Sequence, residues 1–142
     1  MTKNKMPHQF KMLGIELNVK VSKDDSENKL SSIEQTVAPG AGSPPHILHD
    51  ADKMIYVING KFLIRNGEKS IEAGEGDAVY IPKGIIHNFK NTGTEKGKIL
   101  VTLSPAGHED FLYDLSCRLE SEPPSPKLMN EVGSRHQVEM VM

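Results

Sequence analysis

Three histidines and one lysine are the side chains of this sequence whose types and spacing could carry out chemistry. His46, His49 and Lys53 lie in one segment, residues 44–60, and His87 lies in a second segment, residues 76–91. Imidazole and amine groups can move protons, and imidazole nitrogen also binds divalent metals. These groups can act together only if the elements that carry them bring them to one place.

The elements around these residues have the period-two pattern of β-strands. Apolar and polar residues alternate strictly over 13–21, which predicts a half-buried strand that could form an edge of a sheet. Further short apolar runs lie at 33–37, 46–49, 54–58, 62–65, 70–72, 78–81, 86–90 and 99–103. Turn sequences such as Asn59-Gly60 separate these runs, and such spacing predicts an all-β sandwich or barrel.

The aromatic residues of these runs alternate with other apolar residues. We therefore interpret them as core or barrel lining: Tyr56, Phe62, Tyr80 and Phe89.

Beyond residue 103 the pattern changes from strands to helices. Phe111, Leu112, Leu115 and Leu119 have helical spacing, which predicts a helix near 106–120 that packs on the sheet. The predicted organisation is an N-terminal arm over 1–12, a barrel with its helix over 13–119, and a Pro-rich linker and C-terminal tail over 120–142. The tail is expected to contain one short helix within 128–142.

Length and composition exclude several classes of protein. The 142 residues suit a single domain, and 17 basic against 19 acidic residues give a net charge of −2, which argues against a nucleic-acid-binding protein. The longest strongly apolar run, Met54–Ile58, cannot cross a membrane, and residues 1–12 lack the apolar region of a signal peptide. Cys117 is the single cysteine and cannot form an internal disulfide. We therefore expect a cytoplasmic protein with no membrane or nucleic-acid partner.

The two segments that carry the candidate side chains match known motifs. Residues 76–91 fit G-x5-P-x-G-x2-H-x3-N at every fixed position and resemble the second motif of the cupin superfamily. Residues 44–60 are similar to the first cupin motif, G-x5-H-x-H-x3,4-E-x6-G. The resemblance spans about 13–118 and extends to small quercetin-dioxygenase-like cupins. It implies an all-β cupin fold, a double-stranded β-helix or jelly-roll barrel, with a C-terminal helix.

The resemblance also implies a metal site, from which this sequence departs. Three histidines and a carboxylate hold a divalent metal in such barrels, and His46 and His87 match two of the histidine positions. Leu48 stands at the second position of the His-x-His pair, whose members face the same side of a strand. Counting back from Gly60 places Lys53 where the family has glutamate.

A lysine at this position opposes metal binding. An ammonium about 4 Å from a dication is repelled by roughly 8 kcal/mol at an effective dielectric near 20. The side chain must therefore swing away, lose its proton or exclude the metal.

In the first interpretation of the site, no metal is bound. Lys53 supplies the positive charge and forms, with His46 and His87, a cationic pocket for a carboxylate, phosphate or enolate. Apolar walls lower the pKa of a lysine, so Lys53 could act as a base or a Schiff-base nucleophile.

In the second interpretation, a β-bulge at residues 47–49 turns His49 inward. His46, His49 and His87 then form a three-histidine site for one divalent transition metal, with open positions for water or substrate.

Each interpretation of the site predicts a function. The metal-free pocket suits the binding of a small anionic molecule and metal-independent isomerase or lyase chemistry, with Lys53 and His87 as catalytic residues. The metal site suits a quercetin-dioxygenase-like oxygenase. A third alternative is a non-catalytic ligand-binding or sensing module. The resemblance further implies a homodimer.

Overall fold

The alternating segments form strands in this computed structural model, which describes residues 6–141. The strands are β1 (Gln9–Met12), β2 (Ile15–Val21), β3 (Ser31–Val37), β4 (His46–Leu48), β5 (Asp52–Asn59), β6 (Phe62–Asn66), β7 (Lys69–Ala73), β8 (Ala78–Ile81), β9 (His87–Asn91), β10 (Gly97–Ser104) and β11 (Val138–Met140). The helices are α1 (His108–Arg118) and α2 (Pro126–Ser134).

The strands pair into two antiparallel sheets. The larger sheet has the order β1–β2–β3–β10–β5–β8, and the smaller sheet has the order β11–β4–β9–β6–β7. The crossings between them, such as β4 to β5 and β9 to β10, alternate the chain between the two sheets. This arrangement confirms the expected all-β jelly-roll fold with a C-terminal helical segment.

The core lies between the two sheets and follows the period of two. On β5 the inward side chains are Lys53, Ile55 and Val57, each less than 5% exposed. Because alternate residues face opposite sides of a strand, Tyr56 faces outward and is 37% exposed. Tyr80, on the neighbouring edge strand, is 58% exposed. The interpretation of these two tyrosines as core or lining residues was wrong, whereas the other two aromatic residues of that set are buried.

The predicted strand over 13–21 begins only at Ile15 and does not form a sheet edge. Leu13 and Gly14 both have positive φ and make a tight turn between β1 and β2. β1 then pairs with β2 along Gln9–Met12, so part of the expected arm covers the edge that β2 would otherwise expose. Residues 1–5 of that arm lie outside the described residues. The homodimer implied by the resemblance stays a prediction.

The C-terminal part of the chain folds back onto the barrel. Ser125 begins α2 by accepting a hydrogen bond from the Leu128 N–H (3.1 Å), with Pro126 at the first helical position. After α2, β11 pairs with β4, so the expected tail contributes a strand to the smaller sheet. No helix among residues 6–141 is long and apolar enough to cross a bilayer.

Candidate ligand site inside the barrel

Two histidines from neighbouring strands face the interior of the barrel together. His46 on β4 and His87 on β9 are direct antiparallel partners, and their ring centres lie 4.3 Å apart. The turn that precedes β9 is tied to β4, because Gly84 donates its N–H to the Leu48 carbonyl (2.8 Å). Gly84 has a φ of 85°, which glycine adopts without strain. The turn of the second motif therefore aims His87 at His46.

Lys53 reaches the same place from the opposite sheet. It lies on β5 between β10 and β8, with Leu103 and Ile81 as strand partners, and is 4% exposed. Its Nζ lies 3.1 Å from Nε2 of His87. The structure thus brings together all three side chains expected to form a metal-free pocket.

Backbone contacts fix the tautomers of both histidines. Nδ1 of His46 contacts the Pro44 carbonyl (2.8 Å), and Nδ1 of His87 contacts the Ile85 carbonyl (2.9 Å). A carbonyl oxygen only accepts, so each neutral ring donates from Nδ1 and carries its lone pair on Nε2. Lys53 must therefore be the donor to Nε2 of His87, and it can donate both as an ammonium and as an amine.

Burial shifts the protonation of these groups toward their neutral forms. Burial, followed by repulsion from Lys53, lowers the pKa of His46 to about 3 and holds the pKa of His87 far below its usual range. Burial lowers the pKa of Lys53 from 10.5 to about 7. At neutral pH the two imidazoles are therefore uncharged, and Lys53 is divided between ammonium and amine.

The structure does not bring His49 into this group. β4 pairs with β11 in continuous register from His46 to Leu48, without the bulge that would turn His49 inward. Leu48 is buried on the same face as His46, and His49 follows the strand on the outside. Nε2 of His49 lies 2.8 Å from a carboxylate oxygen of Glu139, and the side chain is 47% exposed.

The side chains at this site do not fit the metal centre that the resemblance implies. His46 and His87 offer two imidazole nitrogens, but the other inward positions hold Leu48 and Lys53. Within residues 6–141, no three His, Cys, Asp or Glu side chains are grouped so as to hold a metal ion. Two imidazoles beside an aliphatic group and an amine that can carry charge make a poor set of donors for a divalent metal.

A small cavity of about 60 Å³ adjoins Lys53 and His46, and it reveals two residues that sequence reasoning missed. Gln35, on β3, faces this cavity and is 5% exposed. His108, the first residue of α1, also lines the cavity, and burial holds its pKa well below the usual range. Gln35 could have been found from its place in the inward series with Ile33 and Val37. His108 belongs to neither motif and had no comparable signal.

Helix α1 closes the cavity and is fixed at its first turn. Ser31, fully buried on β3, donates its hydroxyl to Oε1 of Glu109 (2.5 Å) and accepts the Gly107 N–H (3.0 Å). Lys23 donates its backbone N–H to the other oxygen of Glu109 (2.8 Å). These contacts hold the residues on both sides of His108 and thereby place its ring against the cavity.

Comparisons with known proteins agree with this architecture. The sequence pattern of the cupin domain family matches residues 33–103, which include β4, β5 and β9 with all three interior side chains. The match covers half of the chain, and the protein belongs to the cupin domain family. The resemblance to the quercetin-dioxygenase-like branch stays a prediction.

Individual relatives are more distant. An uncharacterized protein, MJ1618, of Methanocaldococcus jannaschii is 30% identical over 83 residues, which are 58% of this chain and 66% of that protein. The structure of KdgF from a Halomonas species is 20% identical with a TM-score of 0.62, over 68% of this chain and 84% of that chain. A cupin-superfamily sugar phosphate isomerase from Silicibacter pomeroyi is 20% identical with a TM-score of 0.57, over 64% and 59% of the two chains.

These likenesses establish the fold but not the activity. The chain spans between 46% and 66% of the length of the curated relatives it matches. The two structural likenesses rest on 20% identity, and cupins host many kinds of chemistry.

Proposed function

We propose that the barrel interior binds a small anionic molecule and that Lys53 moves a proton to and from an oxygen of that molecule without a metal. The observation that carries this proposal is the buried Lys53 side chain, whose Nζ lies 3.1 Å from Nε2 of His87 and adjoins a cavity. An ammonium in this position attracts a carboxylate or an enolate oxygen more strongly than it would in water.

Lys53 suits the role of a general acid and base. Its pKa of about 7 lies near neutral pH, where a group both releases and takes up a proton readily. As the ammonium donates a proton to a developing oxyanion, it becomes an amine, and it recovers the proton from the product. His87 accepts a hydrogen bond from Lys53 in both states and holds the nitrogen in place. This chemistry is typical of isomerases and lyases, in which negative charge develops on an oxygen.

The cavity limits the size of the molecule that can enter. Its volume of about 60 Å³ is far below the roughly 300–1,000 Å³ of ordinary ligand pockets, so a short molecule or the short reactive end of a longer one fits. Acetate is therefore a suitable first probe of anion binding.

The test is the binding of acetate at several pH values. Only the ammonium form attracts the anion, so with a pKa of about 7 we expect affinity to fall by about thirtyfold between pH 6 and pH 8.5. Lys53→Met should abolish binding, whereas the exposed Lys69→Met should leave it unchanged. Binding that is independent of both pH and Lys53 would refute the proposal.

Turnover separates an enzyme from a binding module. Exchange of carbon-bound hydrogen of pyruvate in deuterium oxide, followed by NMR on metal-stripped protein, reports enolate formation: solvent takes the proton from carbon while the Lys53 ammonium donates its proton to the enolate oxygen. Exchange that Lys53→Met abolishes supports catalysis. Lys53-dependent binding without exchange would favour the non-catalytic ligand-binding module.

A further inference from the structure

Two polar side chains beside Lys53 have no hydrogen-bonding partner for their cavity-facing atoms. The amide of Gln35 and Nε2 of His46 make no hydrogen bond to another residue within 6–141, although each residue is 5% exposed. Every fully enclosed side-chain nitrogen or oxygen among the described residues does have a partner. The unpaired atoms of Gln35 and His46 therefore open onto the cavity.

Such atoms require a partner from outside the chain. A buried polar group without a hydrogen bond is destabilising, and native proteins almost always satisfy it with protein, water or ligand. The Gln35 amide can both donate and accept, whereas Nε2 of neutral His46 can only accept. A molecule that pairs with Nζ of Lys53, the NH₂ group of Gln35 and Nε2 of His46 must therefore offer accepting oxygens to the first two groups and a separate donor to His46.

We infer that the ligand is a short 2-hydroxy acid, whose carboxylate accepts from Lys53 and Gln35 while its hydroxyl donates to Nε2 of His46. This inference rests on the proposed anion binding at Lys53 and adds the class of ligand. The groups that would contact the ligand are close together, because Gln35, His46 and Lys53 line one cavity, the His46 and His87 rings are 4.3 Å apart, and Lys53 contacts His87. In a 2-hydroxy acid the hydroxyl and the carboxylate are attached to adjacent carbons, which suits a cavity of about 60 Å³.

The experiment compares three small probes at pH 6, with binding measured by NMR titration. Glycolate carries the hydroxyl, acetate lacks it, and fluoroacetate has nearly the size of glycolate but cannot donate. We expect glycolate to bind at least fivefold more tightly than acetate or fluoroacetate. Equal affinities of the three probes would overturn the inference, and no variant protein is needed for this comparison.

Variants then assign the preference to particular residues. His46→Leu should remove the advantage of glycolate over acetate, because glycolate alone donates a hydrogen bond to Nε2 of His46. Gln35→Leu should lower the affinities for glycolate and acetate by a similar factor, because both probes carry the carboxylate. His49→Leu, at an exposed histidine, should leave all affinities unchanged. A preference for glycolate that survives His46→Leu would overturn the assignment of the hydroxyl acceptor.

The outcomes separate this inference from the proposed function. Acetate binding that requires Lys53, with no preference for glycolate, would leave the proposed function standing and overturn the 2-hydroxy acid. If neither acetate nor glycolate binds, the proposed function and the 2-hydroxy acid are both overturned, and water molecules pair with the polar atoms of the cavity.

Discussion

The substitution Lys53→Met should change how stability depends on pH, because it removes a buried amine whose pKa is shifted by burial. The pKa of Lys53 is about 7 in the folded chain and near 10.5 when exposed to water. At about 1.4 kcal/mol for each pKa unit, burying the ammonium form costs about 5 kcal/mol more than burying the amine. Methionine has a similar unbranched shape and carries no charge.

Whether the free energy of unfolding rises or falls with pH depends on whether the folded or the unfolded chain binds more protons. Between pH 7 and 10.5 the unfolded chain is protonated at Lys53 and the folded chain is largely not, so the free energy of unfolding rises with pH. Below pH 7 both states hold the proton, and the full penalty of burying the charge is present. The difference in the free energy of unfolding between Lys53→Met and the unchanged chain should therefore favour the variant most near pH 6, and it should move by about 4 kcal/mol toward the unchanged chain by pH 10.

The measurement is urea unfolding of both proteins at intervals from pH 6 to pH 10, with the difference taken at each pH. Taking the difference cancels the titration of groups that both proteins share. Lys69→Met is the matched control, because Lys69 is exposed and its removal should give a difference that is flat with pH. If the difference for Lys53→Met is also flat to within about 1 kcal/mol, the reasoning about the buried amine fails.

Three further predictions concern other contacts of the site. Since the pKa of His46 is about 3 in the folded chain and 6.5 in water, stability should fall as pH is lowered from 6.5 to 3, and His46→Leu should flatten this fall in acid titrations of unfolding. Ser31→Ala leaves a buried oxygen of Glu109 without its donor and should destabilise the chain by about 2 kcal/mol in urea unfolding; a change below about 0.5 kcal/mol would contradict this. The double substitution Leu48→His with Lys53→Glu restores the family's ligands and should raise the affinity for zinc at least about a hundredfold by calorimetry, while Leu48→His alone should not.

The motifs located the site better than composition or periodicity did, because each motif fixes both a strand and the face of that strand. Lys53, His46 and His87 meet as the motif positions imply, since their strands are neighbours or face each other across the barrel. The position of Tyr56 was predictable from the same facts: if Lys53 faces inward, a period of two places Tyr56 outside. The register of a strand therefore decides which face Tyr56 occupies, and its aromatic character does not.

The remaining parts of the site depend on long-range contacts that a single sequence does not encode locally. His108 reaches the cavity because a buried Ser31 and Glu109 hold the start of α1 on β3, and these residues are 78 positions apart in the chain. Likewise β11 pairs with β4 only after α2 has turned the chain back across the barrel. Turn and strand patterns predict each element, but not which distant elements pack together.

His46 and His87 are oriented as metal ligands would be, and the same orientation lets His87 accept a hydrogen bond from the lysine found here. Both rings donate from Nδ1 to backbone carbonyls and turn the lone pair of Nε2 inward, which is the orientation that a metal ligand needs. An ammonium accepts no hydrogen bond but donates three, so it can occupy a position between such lone pairs without changing either tautomer. Lys53 uses one donor on His87, and its remaining donors are available to an oxygen in the cavity. The charge at this place is then set by pH, since an ammonium can lose its proton and its charge, whereas a metal ion would keep its charge. An anion that enters the barrel should therefore raise the pKa of Lys53, so that Lys53 takes up a proton from solvent when the anion binds.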